Sequence, residues 1–243
     1  MRDDVVRNRE IEAIRRLLDH VTQSHPAARA VVDIGCGNGY LLESLHETHA
    51  SLDLSGLEYT PEMVEIAKAR GIAGVTITQG DVRSLPFPRE SFDVAITERC
   101  IINIMDRDDQ ARSILEVARV LRPGGHFICI EAFTDGLGEL NAARAEMGLA
   151  PNEQPHHNLW FDKQWFLDTI STDYTVVDLA GEGDQTLPSP NFLSSHYFIS
   201  RVLYPCVTQR EVLYNTHFVK FFRFLPPMGN YAPVQVYLLR KRG

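Results

Sequence analysis

Short apolar runs alternate along the chain with longer segments in which apolar residues recur every three or four positions. The short runs are typical of buried strands, and the longer periodic segments are typical of helices that cover a sheet. This alternation predicts an α/β fold. Strands are predicted at residues 30–34, 52–58, 75–78, 92–96, 126–130, 174–179 and 233–239, and helices at 5–21, 40–49, 61–70, 106–121, 137–147 and 162–170.

The first predicted strand leads directly into a glycine-rich turn and a helix. Gly35, Gly37 and Gly39 bend the backbone there, because glycine adopts unusual backbone angles and lets a ligand approach closely. A strand, a glycine-rich turn and a helix N-terminus bind the polar end of nucleotide-like ligands. The dinucleotide fingerprint requires a third glycine at position 40, where this chain has Tyr40. Asp33, before the first glycine, would repel a pyrophosphate and suits a cation such as an ammonium group.

Two further acids follow predicted strands. Glu58 ends the second strand about twenty residues after the glycines, a distance at which an acid reaches the hydroxyl groups of a ribose. The alternative is an exposed acid at a strand end. Asp81 follows the third strand and suits an adenine amino group, with Val82 or Leu85 lining the ring. Alternatively, Asp81 caps its own turn.

The order and spacing of these motifs resemble those of the class I S-adenosylmethionine (SAM)-dependent methyltransferases. The resemblance covers about residues 28–132 and includes D-x-G-x-G-x-G from Asp33, Glu58, Asp81, Phe92-Asp93 and the L-R-P-G-G turn at 121–125. It implies SAM as the cofactor, S-adenosylhomocysteine as the product and a Rossmann-like, mostly parallel sheet. That sheet has seven strands in the order 3-2-1-4-5-7-6, with strand 7 antiparallel and helices on both faces.

The resemblance also implies roles for individual residues. The loop Glu98-Arg99-Cys100 flanks the reactive end of the cofactor, and Glu98 is an expected cofactor contact. This loop lacks the Asn/Asp-Pro-Pro-Tyr of enzymes that methylate amino groups of nucleic acids and proteins, which argues against those substrates. The expected cofactor contacts are Asp33, Gly35 and Gly37 around the methionine part, Glu58 and Tyr59 at the ribose, and Asp81 and Val82 at the adenine.

Residues 1–243 are expected to form a single methyltransferase domain around the SAM-binding core at 28–132. Residues 133–160 and 181–231 are interpreted as substrate-side insertions. Members of the family usually join strands six and seven by a short hairpin, whereas about fifty residues intervene here, and long connections are usually functional. This helical, aromatic-rich insertion is predicted to be a lid or the contact of a homodimer. Alternatively, its aromatic residues form a small core of their own.

The acceptor side of the site is expected on loops at the same edge of the sheet. A hydroxyl acceptor needs a base, and the candidates are His157, His156, Glu131 and Glu98, with His157 preferred because imidazole titrates near neutral pH. Alternatively, His156 and His157 are a surface pair, and their spacing is not that of a metal site, so no metal is expected. Arg99 either clamps an anionic substrate or pairs with a nearby acid. The predicted substrate contacts are Arg99, Asn103, His156 and Asn158.

Composition narrows the range of partners. The net charge of −8 argues against a nucleic-acid partner, because phosphate binding requires a surface rich in Lys and Arg. The four cysteines are scattered without a C-x-x-C pair, as in a protein with reduced thiols. The charged N-terminus does not resemble a signal peptide, and no apolar run reaches the length of a membrane span. A cytoplasmic protein is expected.

These observations favour methyl transfer to a hydroxyl or amine of a small polar metabolite, such as a sugar or a glycan intermediate. Two alternatives remain open: a non-catalytic SAM-binding partner subunit, and an enzyme that transfers the aminopropyl group of decarboxylated SAM. Asp33 weighs against the second, because it suits an intact amino acid end. An oxidoreductase is disfavoured by Tyr40 in place of glycine.

Overall fold

The described strands form one mixed sheet. The computed structural model describes residues 3–179, 187–210, 212, 214–222 and 224–243. Its strands are β1 (Ala30–Ile34), β2 (Asp53–Glu58), β3 (Thr76–Gln79), β4 (Phe92–Glu98), β5 (Leu121–Ala132), β6 (Tyr174–Val176) and β7 (Val234–Lys241). The order is β3-β2-β1-β4-β5-β7-β6, and β7 runs antiparallel to both of its neighbours. The predicted fold class and strand order are confirmed.

Helices cover both faces of this sheet. Alternate residues of β1 point to different cores: Val31 belongs to a core with Leu17, whereas Val32 belongs to a core with Ile114. None of the described helices is both long and apolar enough to cross a bilayer. The helices are α1 (Asp4–Ser24), α2 (Tyr40–Thr48), α3 (Pro61–Ala69), α4 (Arg107–Val120), α5 (Thr134–Glu146), α6 (Lys163–Ile170), α7 (Ser194–Phe198), α8 (Tyr204–Thr208) and α9 (His217–Phe221), with a 3₁₀ turn at Ile101–Asn103 and a π-helical turn at Ile199–Leu203.

The carboxyl ends of the three central strands lie side by side. β1 pairs in parallel with β2 and with β4, so Ile34 stands beside both Leu57 and Thr97. From β1 the chain continues to β2 and β3 on one side, and it then crosses to β4 on the other side of β1. Ligands of open α/β sheets bind at this switch point, which is where the glycine turn and the strand-end acids meet.

The insertion between β6 and β7 packs on α1. Leu193, Tyr197 and Val202 are buried in the same core as α1. The ring of Phe218 instead contacts the rings of Tyr204 and Phe222, outside the residues of that core. The His196 ring and the buried carboxylate of Asp3, at the start of α1, are 2.9 Å apart. Other aromatic side chains stay exposed, since Phe221 is 79% and Phe224 is 80% accessible. The roles of this insertion as a lid or a dimer contact stay predictions, and residues 180–186 lie outside the described part.

Two strands, β5 and β6, differ most in length from the prediction. β6 ends at Val176 instead of residue 179, although the amide of Val177 still donates to the carbonyl of Leu238. β5 begins at Leu121, which pairs with Phe92 ahead of a register shift in the ladder. The Pro-Gly-Gly sequence that predicted a turn therefore lies within the strand segment.

Candidate active site at the carboxyl edge of the sheet

The glycine turn after β1 is held by β2. The amides of Gly35 and Cys36 donate to the carbonyl of Leu57 at 2.7 and 2.9 Å. Gly35 and Gly37 have φ angles of +81° and +54°, which favour glycine. A Cβ on Gly35 would lie 2.6 Å from Sγ of Cys100, whereas a Cβ on Gly37 would meet no described atom within 4 Å. Gly35 therefore allows close packing against Cys100, whereas Gly37 borders open space.

Asp33 is a buried acid at the end of β1. It is 2% exposed, and no described group donates a hydrogen bond to its carboxylate. Burial, with the nearby carboxylates of Glu98 and Glu58, raises the pKa of Asp33 well above its usual value. A buried carboxylate without a donor is costly unless a cation neutralises it. The local electrostatics therefore favour a positively charged ligand group beside Asp33.

Glu58, at the end of β2, links the glycine turn to α3. Its two oxygens accept hydrogen bonds from the amides of Gly37 at 2.9 Å and Thr60 at 2.8 Å. Each carboxylate oxygen has a second lone pair, so the group can still accept from a ligand hydroxyl. The neighbouring Tyr59 side chain is 66% exposed and is free to cover a ligand ring.

Glu58→Ala is expected to weaken SAM binding by about 1–3 kcal/mol, because hydrogen bonds to a carboxylate are lost and the glycine turn loosens. Isothermal titration calorimetry measures the change. Glu62→Ala is the matched control, since Glu62 is an exposed acid in the first turn of α3. Equal affinity of the Glu58 variant and the wild type would remove Glu58 from the ribose site.

Asp81 is occupied by its own turn. It accepts the amide of Arg83 at 2.9 Å and binds the guanidinium of the same residue, which also reaches Asp109. The Arg83 hydrogen bond holds the pKa of Asp81 below its usual value. Val82 beside it is buried. The structure thus shows the turn-capping role that the sequence left open, and the adenine contact stays a prediction.

The end of β4 carries an ion-pair cluster that includes a residue of α1. Nη2 of Arg99 lies 2.8 Å from Glu98 and 3.1 Å from Glu10. Arg99 is therefore paired with local acids, which was the alternative to an anion clamp. Glu10 was not predicted as a site residue. The sequence signal that could have identified Glu10 is its position on the apolar face of α1, four residues after the buried Val6, where an acid is unusual.

The structure argues against Glu131 as a base. Its side chain is completely buried, and its carboxylate accepts the amides of Cys100 at 3.2 Å, Ile101 at 3.0 Å and Ile102 at 3.3 Å. Burial raises the pKa of Glu131 to about 7 despite these three hydrogen bonds. A group enclosed in this way does not reach a substrate. Glu131 instead holds the loop after β4 in place.

Two predicted substrate residues meet on the acceptor side. Nδ2 of Asn158 donates to Oδ1 of Asn103 at 2.7 Å, and the amide of Leu159 donates to the carbonyl of Ile102. The loop before α6 therefore docks on the loop after β4. His156 and His157 are exposed on a turn of this loop, with ring centroids 5.2 Å apart. Because both residues lie on a turn, their rings contact each other, whereas neighbouring side chains of an extended segment point in opposite directions.

A cavity of about 1,210 Å³ lies elsewhere, between α1, the β6–β7 pair and residues 187–192. Its lining includes Val5, Phe192 and Leu238 and contains none of the predicted site residues. This cavity is therefore separate from the acids at the strand ends. Within the described part of the chain, no group of three or more His, Cys, Asp or Glu side chains is arranged to hold a metal ion.

Residues 31–125 match the family model of a methyltransferase domain. This segment contains the glycine turn, Glu58, Asp81 and the whole of β4. This part of the chain is therefore similar to the methyltransferase domain family, in agreement with the resemblance of its motifs to the class I SAM-dependent methyltransferases. The match ends within β5, so residues 133–160 and 181–231, the predicted insertions, lie outside it.

Curated methyltransferases match somewhat less than half of this chain. A fatty-acid O-methyltransferase of Mycolicibacterium smegmatis is 33% identical over 111 residues, which are 45% of this chain and 39% of that protein. A ubiquinone/menaquinone biosynthesis C-methyltransferase of a Geobacter species is 32% identical over 116 residues, 45% of this chain and 48% of that protein. The chain thus matches less than half the length of these relatives. Their named activities differ, so the shared segment leaves the acceptor open.

Solved structures share the methyltransferase fold over most of the chain. A possible histamine N-methyltransferase of Thermotoga maritima has a TM-score of 0.56 and 20% identity, covering 96% of this chain and 88% of that one. The [4+2]-cyclase SpnF has a TM-score of 0.57 and 19% identity, covering 93% and 80%. Since a cyclase shares the fold, the chemistry must be argued from the site.

Proposed function

We propose that this protein transfers the methyl group of SAM to a hydroxyl or amine of a small polar metabolite such as a sugar. The observation that carries the proposal is Asp33, a buried carboxylate without a described donor beside an open glycine turn. A cationic amino acid end satisfies this carboxylate, whereas a pyrophosphate would be repelled. The match of residues 31–125 to the methyltransferase family model supports the same cofactor.

The residues at the switch point fit SAM. Asp33 and the glycine turn would hold its methionine part, Glu58 and Tyr59 its ribose, and Asp81 with Val82 its adenine. When bound, SAM supplies a methyl group that its sulfonium already activates for direct displacement. The protein's own task is to align the acceptor, which can contribute about 7–11 kcal/mol, and to remove the acceptor's proton where there is one.

Two residues are proposed for the acceptor's proton, Glu98 and His157. Glu98 ends β4 and is close enough to Asp33 to raise the pKa of that carboxyl, so it lies at the proposed methionine end of the cofactor. His157 is exposed on a turn that is joined to the loop after β4 through Asn158 and Asn103. These positions favour Glu98 as the base and leave His157 as an acceptor contact.

Glu98→Gln is expected to lower turnover of a hydroxyl acceptor by about 100-fold, because base assistance contributes roughly 10²–10⁴. His157→Ala is expected to raise KM for the acceptor and to change kcat by less than about tenfold, with SAM affinity unchanged. Steady-state kinetics and calorimetry measure both, and His156→Ala is the matched control. If His157→Ala removes most of the turnover and Glu98→Gln does not, the base is the histidine.

The proposed activity is tested by incubating the protein with SAM and panels of hydroxyl- and amine-bearing metabolites. Formation of S-adenosylhomocysteine and a mass gain of one methyl group on the acceptor are the expected results. Asp33→Asn is the control with weakened SAM binding and should form less product at the same SAM concentration. SAM binding without product on any acceptor would instead favour a SAM-binding partner subunit.

A further inference from the structure

Two carboxyl groups meet at the acceptor side, and one of them comes from α1. Glu10 is fully buried, and both it and Glu98 contact Nη2 of Arg99. The two carboxyls share this one guanidinium nitrogen, so they lie close together in a buried site where two negative charges would repel each other. Oε1 of Glu10 has no hydrogen-bond donor among the described residues. A proton on Glu10 removes this unsatisfied charge.

The charges around Glu10 indicate which carboxyl keeps the proton. Glu98 and Arg99 face it from the end of β4, Asp3 from the start of α1 and Tyr197 from α7. Burial and the charge of Glu98 raise the pKa of Glu10 well above its usual value, and Arg99 opposes them only in part. The Glu98 side chain is 19% exposed, so water stabilises its charge.

We propose that Glu10 is a positioning residue that stays protonated and donates a hydrogen bond to Glu98, which thereby remains ionised as the base for the methyl acceptor. This inference rests on the proposed methyltransferase function. It makes α1 a part of the acceptor site, in addition to a cover for the sheet. Arg99 and the Glu10 proton then hold the Glu98 carboxylate from two sides.

The proton and charge balance is consistent with this role. The acceptor oxygen forms a bond to the methyl carbon, the electrons of the broken carbon–sulfur bond stay on sulfur, and the acceptor's proton passes to Glu98. The positive charge of the sulfonium and the negative charge of Glu98 disappear in the same step. No net charge is created in a buried site, where charge is costly.

Glu10→Gln and Glu10→Met separate this role from a structural one. Glutamine keeps a donor toward Glu98, so we expect kcat within about threefold of the wild type and an unchanged pH profile. Methionine has a similar size but no donor, so we expect the acidic limb of the kcat–pH profile to move up by about one pH unit. SAM affinity, measured by calorimetry, stays unchanged in both variants.

If both variants shift the acidic limb of the kcat–pH profile downward, Glu10 is ionised in the wild type and the proposal is overturned. If neither moves it, Glu10 is structural.

A spectroscopic measurement tests the proton on Glu10 without turnover. The infrared difference between the wild type and Glu10→Gln at neutral pH is expected to contain the carbonyl band of a protonated carboxyl. If that band is absent, Glu10 is ionised and the proposal fails even in an active enzyme. If the band is present but no acceptor is methylated, the proposed function fails and the protonation of Glu10 stands.

Discussion

Asp33→Asn is expected to weaken SAM binding by about 10–100-fold and, at the same time, to raise the unfolding temperature of the ligand-free protein. The affinity falls because a charge-assisted hydrogen bond becomes a neutral one. The stability rises because asparagine cannot ionise. In the wild type, burial raises the pKa of Asp33, so this residue destabilises the folded state at every pH above the ordinary value of 3.8. Each kcal/mol recovered is worth about 2–4 °C in a protein of this size. Calorimetry and thermal unfolding measure the two effects.

The pH dependence provides the control for this prediction. A cation beside Asp33 lowers the pKa of that carboxyl, so SAM binding releases protons and tightens as pH rises above 3.8, until Asp33 is ionised in the free protein. The Asp33→Asn variant should lose this part of the dependence. Asp53→Asn, at an exposed acid that begins β2, should change neither affinity nor stability. A variant that binds SAM as the wild type does would refute the assignment of Asp33.

Gly35→Ala is expected to destabilise the protein by about 2–5 kcal/mol. The φ angle of +81° is strained for alanine, and its Cβ would lie 2.6 Å from Sγ and 2.8 Å from Cβ of Cys100. Because Cys100 belongs to the loop that Glu131 holds in place, the clash cannot relax without moving that loop. Urea unfolding measures the loss of stability.

Gly37→Ala is the matched variant. Its φ angle of +54° lies in the left-handed region, and its Cβ would meet no described atom within 4 Å, so we expect a smaller cost of about 1–2 kcal/mol. The added methyl group would instead enter the space assigned to SAM and weaken its binding. Equal loss of stability in the two variants would contradict the packing described for Gly35.

Whereas the strand order followed from the resemblance to the methyltransferase family, the strands could be predicted because their apolar patterns, the glycine turn and the acids at the ends of β1 and β2 are local features of the sequence. Asp33 and Glu58 were placed correctly at strand ends for the same reason. Their contacts with a cofactor remain predictions, which the variants above test.

The acceptor side could not be predicted equally well, because it depends on contacts between distant segments. Glu131 was expected at the mouth of β5, but its burial is produced by the loop at 100–102 folding over it. Glu10 reaches Arg99 across 89 positions of sequence. An acid on the apolar stripe of a helix was the only local signal of that contact.

The most direct test of this account is calorimetric titration of the full chain with SAM, S-adenosylhomocysteine and NAD in two buffers of different ionisation heat. We expect one site that binds SAM and S-adenosylhomocysteine, proton release when SAM binds, and no heat of binding when NAD is added. Binding of NAD without binding of SAM would contradict it.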